Sequence, residues 1–135
     1  MQFRLIKTLV RSLRCDELED DEIAEDDLRY SPAYHQDRPT EFAVVFDLKL
    51  PLEANSQLSI TYLAVFETAG EITEEFKSSH FPKVNAAAVA YPYLRAFVGQ
   101  FSVLAGFELH TLPIRNFVKA SVPAPTKSDA QADEL

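Results

Sequence analysis

The chain has 135 residues, 47% of them hydrophobic and 25% charged, enough for one domain with a packed core. Its formal charge of −8 argues against a nucleic-acid binder, which needs a basic face to displace counterions from phosphates. Three glycines exclude phosphate-cradling loops, and one cysteine excludes a disulfide framework and any thiolate zinc site.

At the N-terminus, apolar residues at 3, 6, 10 and 13 stand against bases at 4, 7, 11 and 14. That spacing fits a helical period. Arg4 and Lys7 interrupt the apolar stretch, so it does not read as a secretory leader. Next, Asp16 to Asp27 holds nine carboxylates in twelve residues and no base, and without those nine the rest of the chain stands at +1. Such a run repels itself and reads as a solvated loop. It has no glycine and is broken by Leu18 and Ile23, so it lacks the pattern of an EF-hand loop. Its functional reading is a docking surface for a basic partner.

Glu41 to Leu50 and Leu58 to Thr68 are rich in aromatic and β-branched residues and are predicted strands. Ala69-Gly70 is a turn signal leading into Glu71 to Lys77, predicted to continue an antiparallel meander with Glu74 and Glu75 on an edge. From Ala86 to Gly106 there are 21 residues with one charge. Arg95, Gln100 and Pro92 fall within this span and argue against a membrane crossing. The prediction is a buried helix with Asn85 as a possible cap and Gly106 as its stop. A helix apolar over most of its circumference must be covered over most of it, which one sheet face cannot do in a small domain. A second copy of the chain is therefore expected on this helix. After Phe117 no aromatic follows, and residues 121–135 read as a disordered tail behind a single domain over residues 1–120.

No constellation for catalysis emerges. His35, His80 and His110 are isolated in sequence, Cys15 lacks a nucleophile signature, and carboxylates in a mobile loop cannot keep the spacing that acid–base work needs. No cofactor or metal site is expected, and a non-enzymatic protein is the reading. Aromatic residues in loop-like or strand-end positions, among them Tyr30, Tyr34, Phe42, Phe81 and Phe107, suit either core filling or a groove for apolar segments of other chains.

Residues 81–117 resemble the SecB family of protein-export chaperones and their SecB-like relatives. The resemblance rests on Tyr91-Pro92-Tyr93-Leu94-Arg95, matching a motif that opens the family's long helix, on Ala105-Gly106 at its end, and on Leu112-Pro113-Ile114-Arg115-Asn116-Phe117. The last stretch carries one extra residue, Arg115, relative to the family's spacing. The resemblance implies an α+β fold, a four-stranded antiparallel sheet with a long helix packed on one face. It implies a dimer of dimers with the helices buried between sheets. It also implies that residues 3–14 form the first strand, tertiary context overriding the local period.

Functionally, the resemblance implies a cytoplasmic, ATP-independent holdase. Such a protein binds unfolded polypeptides and keeps them competent for translocation through the Sec pathway. SecB-like relatives instead protect an antitoxin of a toxin–antitoxin system, and a non-chaperone acidic binding subunit is the rival class. The expected client-binding residues are Phe42, Phe81, Leu112, Ile114 and Phe117. Tyr93, Leu94, Phe97, Val98 and Phe101 are the expected oligomer interface, and Asp16, Glu19, Asp20, Asp21 and Glu22 the expected partner-docking set. Of three acidic positions through which export-type members reach SecA, the match keeps Asp16 and places Ser12 and Val65 at the others.

Overall fold

The structure, a computed structural model, describes residues 2–118. Its elements are β1 (Phe3–Glu17), β2 (Asp27–Tyr34), β3 (Glu41–Leu52), β4 (Ser56–Thr68), α1 (Glu74–Ser78), a π-helical turn (Phe81–Asn85) and α2 (Ala86–Leu104). The strands form one antiparallel sheet in the order β1-β4-β3-β2. β2 to β4 are a meander, and β1 lies at the far edge beside β4. The expected α+β architecture, four antiparallel strands and one long helix, is what the chain adopts.

β1 is a strand despite its helical spacing, and two irregularities explain the disguise. The register with β4 slips between Leu5 and Lys7 and again between Val10 and Ser12. Each slip inserts one residue, so the strict alternation of a strand is reset twice. Phe3, Leu5, Val10 and Leu13 thereby share one face although their spacing is not a period of two. The bulges also twist a long edge strand, which discourages edge-to-edge pairing.

Glu71 to Lys77 is not a strand. Thr73 accepts a hydrogen bond from the Phe76 amide (3.1 Å), and Glu74 and Glu75 occupy the first turn of α1. A threonine cap followed by two acids is a helix start. The fourth strand is instead β2, at the end of the acidic run. Leu28, Tyr30 and Pro32 alternate with Arg29 and Ser31 there, and an edge position tolerates the missing amide of Pro32.

The sheet has two apolar faces. One carries Tyr30, Phe42, Val44, Phe46, Leu58, Ile60 and Phe66 in a single cluster with α2. The other carries a smaller buried group, Ala33, Ala43, Val45, Leu63 and Val65. α2 approaches the first face through Ala86, Ala87 and Ala90, whose small side chains permit close contact, followed by Leu94 and Val98. Asn85 has helical backbone angles and makes no side-chain cap, because the π-helical turn runs directly into α2. The stop at Gly106 is as expected. Its φ is +97°, and the Gly106 and Phe107 amides bond back to the carbonyls of Val103 (3.1 Å) and Ser102 (2.8 Å). These two bonds form a Schellman closure. The expected tail, residues 121–135, lies outside the described residues.

Candidate functional site

α2 divides its apolar side chains between two opposite sides. Ala87, Ala90, Tyr91, Leu94 and Val98 face the sheet and are buried. At 100° per residue, Val89, Tyr93, Ala96, Val103 and Leu104 fall on the other side, and all are exposed. Leu104 is 85% exposed and Tyr93 51%. Gln100 is the one polar residue in this stripe, which no charge interrupts. Ala96, Gly99, Val103, Leu104 and Leu109 line an open apolar hollow of about 630 Å³ at its C-terminal end.

The expected oligomer residues therefore separate. Leu94 and Val98 are fully buried in the protomer's own core and are not available to a second copy. Phe97 and Phe101 are half-buried at the flank of α2; they stack on each other at 6.1 Å, and Phe97 meets Tyr62 at 5.9 Å. Only Tyr93 of the five points fully outward. Val89, Val103, Leu104 and Leu109 were not anticipated. A helix apolar all round gives no sequence sign of which stripe meets the sheet, apart from the run of alanines.

The expected client-binding residues fall into two groups. Phe42 is fully buried and joins Phe3, Phe66, Phe76 and Tyr34 in a ring cluster with centroids 5.2–6.1 Å from Phe42. Phe81 lies at the rim of that cluster, half-exposed and stacked on Phe76 at 6.1 Å. The second group sits beyond α2. Leu112 and Phe117 are buried, and Phe117 meets the rings of Tyr30 and Tyr91 edge-on at 5.1 and 5.3 Å. Ile114, 87% exposed, points away from both.

The two motifs that carried the resemblance clasp each other. Tyr91 Oη donates to the Pro113 carbonyl (2.5 Å) and Arg95 Nε to the Leu112 carbonyl (2.7 Å). Burial pushes the Tyr91 phenol above its ordinary pKa, with Arg115 and Arg95 opposing the shift. Its proton is thus retained for the bond to Pro113. Further along, the Glu53 carboxylate takes the Glu108 amide (3.1 Å) and pairs with His110 Nε2. Desolvation acts to raise the Glu53 pKa. The hydrogen bond and charge of His110, with the Glu108 amide, pull it below the usual carboxylate range.

The acidic crossing is exposed as expected but is tied down. Leu18 exchanges hydrogen bonds with Asn55, its amide to the Asn55 carbonyl (2.8 Å) and Asn55 Nδ2 to its carbonyl (3.1 Å). Gln57 does the same for Glu25, at 2.6 and 3.0 Å, and Lys49 pairs with the Glu25 carboxylate at 2.8 Å. Glu19 and Glu22 close a turn of their own. Asp16 lies in β1 opposite Gln57, Ser12 opposite Thr61, and Val65 two turns of the pleat further on. All three face away from α2. Cys15 is exposed, and desolvation together with the Asp16 charge raises its thiol pKa, the opposite of nucleophile activation. Among the described residues, no group of three or more His, Cys, Asp or Glu side chains is arranged to hold a metal ion. No helix of the described residues is long and apolar enough to cross a membrane.

No family model and no curated protein matches the sequence. Among solved structures, the chain superposes on a SecB-like chaperone of Mycobacterium tuberculosis, solved in complex with a ChAD peptide from the HigA1 antitoxin. The TM-score is 0.63 and the identity 13%, over 84% of this chain and 87% of that one. A Streptococcus agalactiae protein of unknown function aligns with a TM-score of 0.48 and 11% identity, over 84% and 98%. The fold is SecB-like, the architecture that the motifs in residues 81–117 led one to expect.

Proposed function

We propose that this protein is a non-enzymatic, ATP-independent holdase of the SecB-like type, acting in the cytoplasm on unfolded polypeptides. The supporting observation is the SecB-like fold, and with it the uncharged, exposed stripe of α2 from Val89 and Tyr93 to Val103 and Leu104, which marks a surface for assembly. Monomeric proteins rarely leave such a surface to water. Apolar burial is non-directional, so it supplies affinity for many sequences. By preferring unfolded chains, the protein would hold them back from folding and aggregation by mass action. The stripe itself serves self-association, two copies facing each other through α2, with a dimer of dimers as the assembled form.

Of the two client classes, a cognate antitoxin is preferred over export preproteins. The superposed neighbour was solved with an antitoxin peptide, and two of three acidic positions expected for SecA are Ser12 and Val65. Handover to SecA is the second reading, favoured by the carboxylates from Asp16 to Glu22, which remain exposed for docking. The test is aggregation of a reduced, unfolded protein in the presence of the chain. Suppression at near-stoichiometric ratio supports the holdase, and no effect on several clients would end that reading. Co-purification with an antitoxin encoded beside it, or with SecA, separates the two client classes.

A further inference from the structure

After Gly106 the chain reverses and runs back along α2 with no helix or strand of its own, as residues 107–118. The direction follows from its partners. His110 donates its amide to Ser102 Oγ (3.0 Å), Leu112 lies opposite Arg95, and Pro113 opposite Tyr91. In each of these contacts a side chain of α2 reads the backbone of the segment. Backbone groups recur in every polypeptide, so these bonds select an extended conformation and not a sequence. Side-chain recognition rests on two anchors five residues apart. Leu112 and Phe117 are buried, the latter between Tyr30 and Tyr91, whereas Ile114 and Val118 stand out in solvent.

That is the way a groove holds a peptide. We propose that the groove between α2 and β2 is a receptor for an extended segment of unfolded polypeptide bearing two large apolar side chains about five residues apart, and that residues 111–118 fill it in cis as a strap that such a client displaces. The inference rests on the holdase reading and adds its regulation. A strap continuous with α2 is present at high effective concentration, so it excludes weak ligands and yields to long unfolded chains that offer several segments at once. The apparent affinity for a client is then lowered by the fraction of molecules whose strap is closed.

The test uses the full chain. Client binding is measured by fluorescence anisotropy with two labelled probes, a synthetic peptide of residues 107–118 and a reduced, alkylated protein that stays unfolded. Leu112→Ser combined with Phe117→Ser should bind both probes roughly tenfold or more tightly than the parent, because it opens the groove without altering its walls. In a second measurement, Cys15→Ser with Ile114→Cys carries a nitroxide on the outward side of an otherwise unaltered strap. Its spectrum should pass from restrained to mobile when the unfolded protein is added. Equal or weaker binding by the serine variant, or a nitroxide that stays restrained under saturating client, overturns the strap. If the unfolded protein binds neither chain but the peptide binds the serine variant alone, the groove stands and the holdase reading falls. If both chains bind the unfolded protein equally, the holdase stands and the strap falls.

Discussion

Replacing Val103 and Leu104 together by aspartate tests whether the outer stripe of α2 joins two copies of the chain. Val103 is 54% and Leu104 85% exposed in the protomer, so about half of one side chain and most of the other remain to be buried by a partner. Full burial of such side chains contributes about 1.5–3 kcal/mol each, which gives about 3 kcal/mol for the pair. A two-fold interface uses the same surface twice, so the contribution is about 6 kcal/mol per dimer. At 1.4 kcal/mol per tenfold, this is about four orders of magnitude in the dissociation constant, before any cost of desolvating the carboxylates. Sedimentation equilibrium over a range of concentrations should show an assembled parent and a monomeric variant. The urea midpoint of the isolated protomer should fall only modestly, because two aspartates in the last turn of α2 oppose the helix dipole at about 0.3–1 kcal/mol each. A variant with the parent's mass, or a parent that is monomeric at high concentration, would refute the reasoning.

Three further outcomes follow from the core, the helix end and the clasp. Leu94→Ala should cost about 2–5 kcal/mol in urea unfolding, as expected for a fully buried side chain on the sheet side of α2; a cost below about 1 kcal/mol would contradict its inward placement. Gly106→Ala should cost about 1 kcal/mol through backbone strain alone, because φ is +97° and a Cβ there meets nothing within 4 Å; an unchanged midpoint would deny the left-handed closure. Glu53 is held below the usual carboxylate range, so its contribution is full above the unfolded carboxylate pKa and is lost as pH falls through the depressed folded value. The difference in urea midpoint between the parent and Glu53→Gln should therefore be present at neutral pH and close on acidification, and a difference that ignores pH would remove the ionised Glu53 carboxylate from the account.

The long helix was readable because Tyr91 to Ala105 is apolar over several turns and Gly106 supplies the stop. Its orientation was not, since Leu94 and Val98 differ from Val89 and Val103 only in which of them meets the sheet. That choice belongs to tertiary packing: the alanines at 86, 87 and 90 bring one side close. β1 was masked by its bulges, which turn alternation into a spacing that mimics a helix, and only the resemblance identified it as a strand. β2 was hidden at the end of the acidic run and behind Pro32. In residues 71–77, Ile72 and Phe76 suit a strand or a helix alike, and Thr73 with its two following acids decides for the helix. At the candidate site, the apolar character of Leu112 and Phe117 is legible in the sequence. The backbone carbonyls of Leu112 and Pro113, which accept from Arg95 and Tyr91, carry no signature in sequence, so the clasp is visible only in three dimensions.

The charge of −8 and the apolar helix call for different partners, and salt separates them. Nine carboxylates lie between Asp16 and Asp27, six of them in the crossing from β1 to β2, which is held in place largely by the neutral side chains of Asn55 and Gln57 with Lys49 as a charged contact. A partner that docks there does so through solvated charges, whose attraction falls away beyond about 8 Å at physiological ionic strength. Asp16 faces away from α2, so the acidic residues and the proposed client groove beside α2 lie on different sides of the sheet. A client held by Leu, Val and aromatic contacts gains nothing from low salt, because apolar burial is not screened. Titration of the unfolded client between about 50 mM and 500 mM salt should thus leave its affinity unchanged or slightly tighter. Binding of a basic partner should weaken over the same range, mainly through a slower association rate. If client affinity instead collapses with salt in parallel with partner binding, the client is held by the acidic crossing, and the division of labour between the two surfaces is wrong.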